Sequence, residues 1–138
     1  MPNPISFGAS EALVIDLLSE AGVSNIAVAG VGGTGFSLSM ILPARRLFGL
    51  IVQCTSSGGI AVQVDIESSN VAPTTEGAAD TTNYGVNDVP VISSIASNVN
   101  TPAAMGPVLT KYSRLKFTGL AGNHASTVIS KLQLTISE

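Results

Sequence analysis

The segment Arg46–Ser68, RLFGLIVQCTSSGGIAVQVDIES, decides the fold class because it contains two strand patterns separated by a turn. In its second half, apolar and polar residues alternate with a period of two, which predicts a half-buried β-strand. The inward face carries Ile60, Val62, Val64 and Ile66, and the outward face carries Gln63, Asp65 and Glu67.

The first half of the segment also predicts a strand, but one with apolar residues on both faces. Phe48, Leu50, Val52 and Cys54 share one face, while Leu47 and Ile51 lie on the other. Apolar residues on both faces are typical of a strand that is covered on both sides. Ser56–Gly59 has the composition of a tight turn, so the two strands are predicted to pair as an antiparallel hairpin.

Similar patterns occur on both sides of this segment. Phe36–Leu42 alternates with Ser37 and Ser39 outward, and Pro43 stops further pairing. Near the C-terminus, Leu115 and Phe117 face opposite Arg114, Lys116 and Thr118, and Val128–Ile136 forms the last strand after a turn at Gly119–Asn123. These two strands are predicted to form a second hairpin. The residues expected to be mostly buried are Phe48, Val52, Val64, Ile66, Leu115, Phe117, Leu132 and Leu134.

The N-terminal region permits two interpretations. Ser10–Ala21 fits a helix capped by Ser10 and ended by Gly22, and it also fits a strand through alternating apolar residues. The strand is favoured because Ile26–Val31 is placed to pair with it. Met1–Ser6 contains two prolines and is predicted to be an extended arm held by a neighbouring subunit.

Together these patterns predict an all-β chain: an antiparallel β-sandwich or jelly roll of about eight strands, as a single domain over residues 1–138. Ser69–Pro90 has few large apolar residues and is predicted to be a long loop that contacts partners. Five acids and no base lie between Asp65 and Asp88, whereas four bases and no acid lie between Lys111 and Lys131. We expect the acidic loop of one subunit to approach Arg114, Lys116 or Lys131 of another.

The composition disfavours several classes of function. Charged residues are 11% of the 138 positions, against roughly a quarter in a typical soluble domain. Six basic residues and a net charge of −3 disfavour a nucleic-acid partner. The sequence shows no signal-peptide pattern and no membrane-spanning apolar run. Cys54 is the single cysteine, so it is interpreted as a small buried hydrophobe.

The glycine cluster within Ile26–Gly35, IAVAGVGGTG, resembles a dinucleotide-binding loop. Such a loop should be followed by a helix and by an acid about 20 residues further on. Here a strand pattern follows, and Leu50–Gln53 occupies the acid's position. The cluster is therefore predicted to connect two strands, and no cofactor is expected.

No constellation of catalytic or metal-binding residues stands out. His124, the single histidine, lies in a predicted turn and is interpreted as exposed, because no nucleophile signature surrounds any serine. Asp65 and Glu67 could hold Ca²⁺ or form a glycosidase pair, but outward alternation accounts for them. The chain is predicted not to be an enzyme, with no catalytic, cofactor or metal residues.

Two family resemblances add expectations. Glu11–Leu18 with Val23–Val28, and Lys111–Thr118 with Val128–Ile136, resemble the opening and closing strands of discoidin-like and galactose-binding-type jelly rolls. That resemblance implies a binding module that recognises carbohydrate or another protein through its loops. The chain has no tryptophan and two tyrosines, however, and sugar-binding modules generally stack sugar rings on such side chains.

The small residues, the abundant Ser, Thr, Asn and Gly, and the segment IVQCTSSGGIAVQVDIESS running into a loop resemble small β-sandwich virion proteins of tailed phages. The type implied is a capsid decoration or cement protein. This resemblance implies a homo-oligomer, with a trimer favoured, that docks on the major capsid protein at the virion surface after synthesis in the host cytoplasm. We take it as the first expectation and the non-catalytic binding module as the alternative.

Overall fold

The structure, a computed structural model, describes residues 13–108 and 110–136. Strands account for most of the regular structure in these residues because apolar side chains recur at every second position. The strands are β1 (Leu13–Asp16), β2 (Ile26–Ala27), β3 (Thr34–Phe36), β4 (Phe48–Thr55), β5 (Val62–Ser69), β6 (Gly85–Val86), β7 (Thr101–Met105), β8 (Tyr112–Gly119) and β9 (Val128–Ile136). One helical turn, α1 (Leu17–Glu20), follows β1.

The strands form two antiparallel sheets that pack face to face as a β-sandwich, which confirms the predicted fold class. The first sheet has the order β1-β9-β4-β7, and β2 also pairs with β9. The second sheet has the order β3-β8-β5-β6. The hydrophobic core lies between them, and all eight residues expected to be mostly buried are buried there.

Both predicted hairpins are wrong, because each pair of consecutive strands is divided between the two sheets. β4 pairs with β7 and β9, whereas β5 pairs with β6 and β8. In the same way, β8 and β9 lie in opposite sheets. The physical reason is that alternation specifies which face of a strand is buried and says nothing about its hydrogen-bonding neighbour. The connections 56–61 and 120–127 therefore cross from sheet to sheet.

The N-terminal region combines both of its interpretations. Leu13–Asp16 is a strand, and the Asp16 carboxylate then caps α1 by accepting the backbone N–H groups of Leu18 at 3.0 Å and Ser19 at 3.2 Å. The predicted pairing of this region with Ile26–Val31 is wrong, since β1 and β2 both pair with β9 at different points along its length. The predicted arm, residues 1–6, lies outside the described residues.

The strand predicted over Phe36–Leu42 is regular only as far as Phe36, and it ends in an isolated bridge between Met40 and Ser113. Ser37 is buried, although it was expected to face outward. Its hydroxyl accepts the backbone N–H of Leu115 at 2.8 Å and donates to the Leu38 carbonyl at 2.9 Å. These hydrogen bonds satisfy the hydroxyl, so its burial costs little. Leu47 is exposed, so β4 begins without the expected cover on its outer face.

The glycine cluster connects β2 to β3, as predicted, and no helix follows it. Gly32 donates its N–H to the Gly119 carbonyl at 2.8 Å, and Gly30 donates to the His124 carbonyl at 3.1 Å. The backbones approach so closely that a Cβ on Gly119 would lie 1.9 Å from the Gly30 oxygen. Glycine is therefore required at 119 by the close approach of the two backbones.

Candidate functional site

The two ends of the sandwich differ in charge. Four loops meet at one end of the sandwich. They are residues 28–33 before β3, 56–61 between β4 and β5, 96–100 before β7, and 120–127 between β8 and β9. None of these loops contains Asp, Glu, Lys or Arg. We call this surface the uncharged end. At the opposite end, the loops before β4 and before β8 carry Arg45, Arg46 and Lys111.

A cluster of hydroxyl groups lies at the uncharged end, on the 56–61 and 120–127 loops. The Ser126 Oγ atom is 2.8 Å from Ser57 Oγ and 3.1 Å from Ser56 Oγ. It also accepts the backbone N–H of Ser57 at 3.2 Å. A second pair of hydroxyls, on Thr55 and Ser130, lies 2.7 Å apart on the adjoining strands. Several exposed donors and acceptors therefore converge where the two sheet-to-sheet connections meet.

His124 belongs to the same cluster. Its Nδ1 atom accepts the backbone N–H of Ser126 at 3.1 Å and lies 2.8 Å from Ser126 Oγ. Because Nδ1 accepts a backbone N–H, the proton of the neutral imidazole is on Nε2. The side chain is exposed, as predicted, and its ring lies next to Gly58, where a Cβ would come within 2.3 Å of Cδ2. The imidazole is thus held by a local turn.

Asn123 ties two of these loops together and was not singled out from the sequence. Its buried side-chain amide donates to the carbonyl of Val28 at 2.8 Å and to that of Gly30 at 3.0 Å. One amide therefore bonds to two carbonyls of the 28–33 loop, and the Gly30 carbonyl also accepts the backbone N–H of Gly33 at 3.3 Å. An Asn within a Gly-rich turn was the one signal in the sequence, since Asn commonly bonds to nearby backbone groups.

Asp65 and Glu67 lie on the face opposite the core residues, as the alternation predicts, but both acids are buried, so the expected exposure to solvent is wrong. Glu67 forms a buried ion pair with Arg114, and the Asp65 carboxylate accepts the side-chain amide of Gln63 at 2.9 Å. The cause is the loop of residues 70–84, which covers the outer face of the second sheet. Ala78 of this loop accepts a hydrogen bond from Arg114 Nη1 at 2.7 Å. Each carboxylate is bound to another side chain of the same chain, so the two do not form a solvent-exposed acidic pair.

The guanidinium of Arg114 is also enclosed by aromatic rings. It lies 4.4 Å from the centroid of Phe36 and 4.2 Å from that of Tyr84, distances at which a cation is attracted to a ring face. Arg114 is completely buried, so it cannot meet the acidic loop of a neighbouring subunit as expected from the sequence.

Neither tyrosine presents a free ring for stacking on a sugar. Tyr84 is buried against Arg114, its hydroxyl donates to Ser39 Oγ at 2.8 Å, and burial raises the pKa of its phenol. Tyr112 is half-buried, and the Lys111 ammonium lies 5.4 Å from its ring centroid.

A cleft of about 250 Å³ opens beside β3, between α1 and the 70–84 loop. We call it the edge cleft. Its lining is mostly apolar: Ala21, Val23, Asn25, Ile26, Phe36, Leu38, Glu76 and Gly77. The one ionisable lining residue is Glu76, which is exposed and accepts the backbone N–H of Ser39 through Oε2 at 2.7 Å.

Cys54 and any group of side chains that could bind a metal ion are the remaining candidates for a functional site. Burial raises the pKa of the Cys54 thiol to about 12, which keeps it unreactive, as expected for a small buried hydrophobe. Within residues 13–108 and 110–136, no group of three or more His, Cys, Asp or Glu side chains could hold a metal ion. No helix in the same residues is both long enough and apolar enough to cross a membrane.

No protein-family model matches the chain, and no curated protein matches it in sequence. Among solved structures, it is similar to the CBM22-1–GH10 modules of Clostridium thermocellum endo-1,4-β-D-xylanase 10B in complex with xylohexaose. The TM-score is 0.49 and the identity 10%, over 93% of this chain and 25% of that chain. It is also similar to the C-terminal domain of the sugar-binding protein EclA, with a TM-score of 0.37 and 10% identity over 94% of this chain and 82% of that chain. The chain spans a quarter of that CBM22-1–GH10 chain, and at this level of similarity neither protein's ligand nor its activity transfers to it.

Proposed function

We propose that this chain is a non-catalytic β-sandwich binding module that recognises a neutral, hydroxyl-bearing ligand, carbohydrate foremost, through its uncharged end. The observation that carries the proposal is the convergence of serine hydroxyls and His124 on loops without a charged side chain. Uncharged hydrogen-bond donors and acceptors suit a neutral ligand that both donates and accepts hydrogen bonds.

The geometry of this surface predicts weak binding at each site. No Phe, Trp or Tyr lies in the four loops, so the stacking on these side chains that strengthens sugar recognition elsewhere is absent from them. A protein–ligand hydrogen bond replaces one made to water and contributes on the order of 1 kcal/mol. We therefore expect millimolar dissociation constants for a single site, which corresponds to roughly −4 kcal/mol.

The arrangement of His124 and Ser126 supports a non-catalytic role. A serine nucleophile needs a base, and the base needs a third group to orient it. Here the Nδ1 lone pair is already shared with the Ser126 backbone N–H, and no carboxylate within the described residues bonds to the imidazole. The hydrogen bonds between His124 and Ser126 instead stabilise the turn that contains them.

Two-dimensional NMR of the ¹⁵N-labelled full chain tests this function. Titration with cellohexaose and mannohexaose, each up to about 10 mM, should shift the amide signals of 56–61 and 120–127, whereas oligogalacturonate should shift them less. Ser57→Lys should abolish the response by placing a charge among the hydroxyls, and Ser19→Lys on α1 is the matched exposed control. Shifts located elsewhere, or an equal response of the Ser57→Lys variant, would refute the proposal.

A second candidate is a self-associating structural role, including the virion decoration expected from the sequence. The observation that favours it is the set of large apolar side chains exposed in the described residues, among them Val31, Ile41, Leu47 and Val89. Such side chains mark association surfaces when they form patches. In this role we propose that the chain docks on a capsid at the virion surface.

A further inference from the structure

The loop of residues 41–47, which joins β3 to β4, has the properties of a contact surface. Ile41 is 68% exposed and Leu47 is 64% exposed, so the first and last residues of the loop present large apolar side chains to solvent. Arg45 between them has a backbone φ of 63°, a conformation that non-glycine residues rarely adopt. Its guanidinium makes no hydrogen bond or ion pair within the part of the chain that the structure describes.

The edge cleft has the complementary properties. Its walls offer Val23, Ile26 and Leu38 to an apolar side chain, and Glu76 supplies a carboxylate. No lysine or arginine lines it. Arg114 lies behind the Phe36 ring, but Glu67 neutralises its charge. The cleft therefore combines apolar surface with a net negative charge, while the 41–47 loop combines apolar surface with a positive charge.

We propose that the chain self-associates, with the 41–47 loop of one copy docked in the edge cleft of another. In this contact the Arg45 guanidinium pairs with the Glu76 carboxylate, and Leu47 covers the apolar wall at Val23 and Ile26. The occupant is a second copy of this chain, because charge and apolar character match between two surfaces of the same sequence.

The contact joins two unlike surfaces, which determines the assemblies it can form. Made twice about a twofold axis, it closes a dimer, and made once per copy it produces a ring or a chain. Because the proposal uses neither the hydroxyl cluster nor His124, it is independent of the proposed binding function. Several copies held together would also raise the avidity of a weak ligand site.

Sedimentation velocity and equilibrium of the full chain, from about 1 µM to 1 mM, test the contact. We expect reversible association that is weaker in 500 mM than in 50 mM NaCl, because screening weakens exposed charge pairs. Arg45→Glu and Glu76→Arg should each raise the dissociation constant about tenfold or more, since each places like charges together. The double variant, Arg45→Glu with Glu76→Arg, should recover association to within about threefold of the wild type, because it restores an opposite-charge pair.

Two further variants separate the contact from side effects. Glu76→Gln keeps an acceptor for the Ser39 N–H while removing the charge, so it should weaken association without altering the fold. Lys111→Glu changes an exposed base at the same end of the sandwich and should leave association unchanged. A wild-type monomer at every concentration, a double variant as weak as the single variants, or an equal loss in Lys111→Glu would overturn the proposal.

Discussion

Arg114 and Glu67 form an ion pair inside the protein, with 2.8 Å between Nε and Oε1, although they occupy directly opposed positions on the outer face of the second sheet. The 70–84 loop converts this face into an interior by closing over it. A buried charge pair is tolerated when its remaining polar atoms are hydrogen-bonded, and the Ala78 carbonyl meets part of that requirement. Arg114 therefore links the loop to the sheet through this hydrogen bond.

Removing one partner of this pair should be strongly destabilising. Arg114→Ala leaves the Glu67 carboxylate buried without its partner, and we expect a loss of about 3–5 kcal/mol in the free energy of unfolding. Urea denaturation followed by circular dichroism measures the loss. Arg114→Ala with Glu67→Ala should cost less than the sum of the two single changes, and simple additivity would mean that the residues are not coupled.

Truncation in the core should be costly at a position where the sequence predicted burial. Phe117 is completely buried between the sheets, so Phe117→Ala should lower the free energy of unfolding by about 3–5 kcal/mol. Val99→Ala, at an exposed apolar position, is the control and should change it by less than about 0.5 kcal/mol. Equal melting temperatures for the two variants would contradict the core described above.

Gly119 should tolerate no side chain. A Cβ at this position would overlap the Gly30 carbonyl oxygen, and neither backbone can move without breaking the hydrogen bonds between the two loops. Gly119→Ala should therefore cost about 1–3 kcal/mol, the usual range for overpacking. Gly106→Ala, where a Cβ would meet nothing within 4 Å, provides the comparison, and thermal denaturation of both variants decides the matter.

Acid should weaken the 70–84 loop within a defined pH window. The backbone N–H of Asn83, with further hydrogen bonds from Thr74, lowers the pKa of Asp80 to about 2. Because the folded pKa lies below the ordinary value of about 3.9, the stabilisation is fully present above pH 4 and is lost as the pH falls towards 2.

Urea denaturation at a series of pH values between 5 and 2 can test this effect. The wild type should lose stability faster than Asp80→Asn across the window, and the two curves should converge near pH 2. Asp88→Asn, at an exposed acid beside the same loop, should follow the wild type. Parallel curves for the wild type and Asp80→Asn would show that these hydrogen bonds do not stabilise the fold.

The candidate site could be foreseen only in part. The exposed turn at His124 followed from its polar, glycine-containing surroundings, and the absence of charge in the four loops can be read directly from the sequence. The sequence did not predict that the four loops meet at one end, because Ser56 and Ser126 are brought together by two connections that both cross between sheets. The edge cleft was missed altogether, since Glu76 and Phe36 become neighbours only when the 70–84 loop folds back on β3.

The sequence by itself determined the fold class and the inward face of each major strand, because side chains alternate strictly between the two faces of a β-strand and burial selects the apolar one. Only the tertiary structure decided which sheet each strand joins, as β4 and β5 illustrate. It also decided that Asp65, Glu67 and Arg114 are interior, because covering their face requires a distant loop. Backbone hydrogen bonds are the same for every pair of strands, so a local pattern cannot encode which strand lies alongside or which loop lies above.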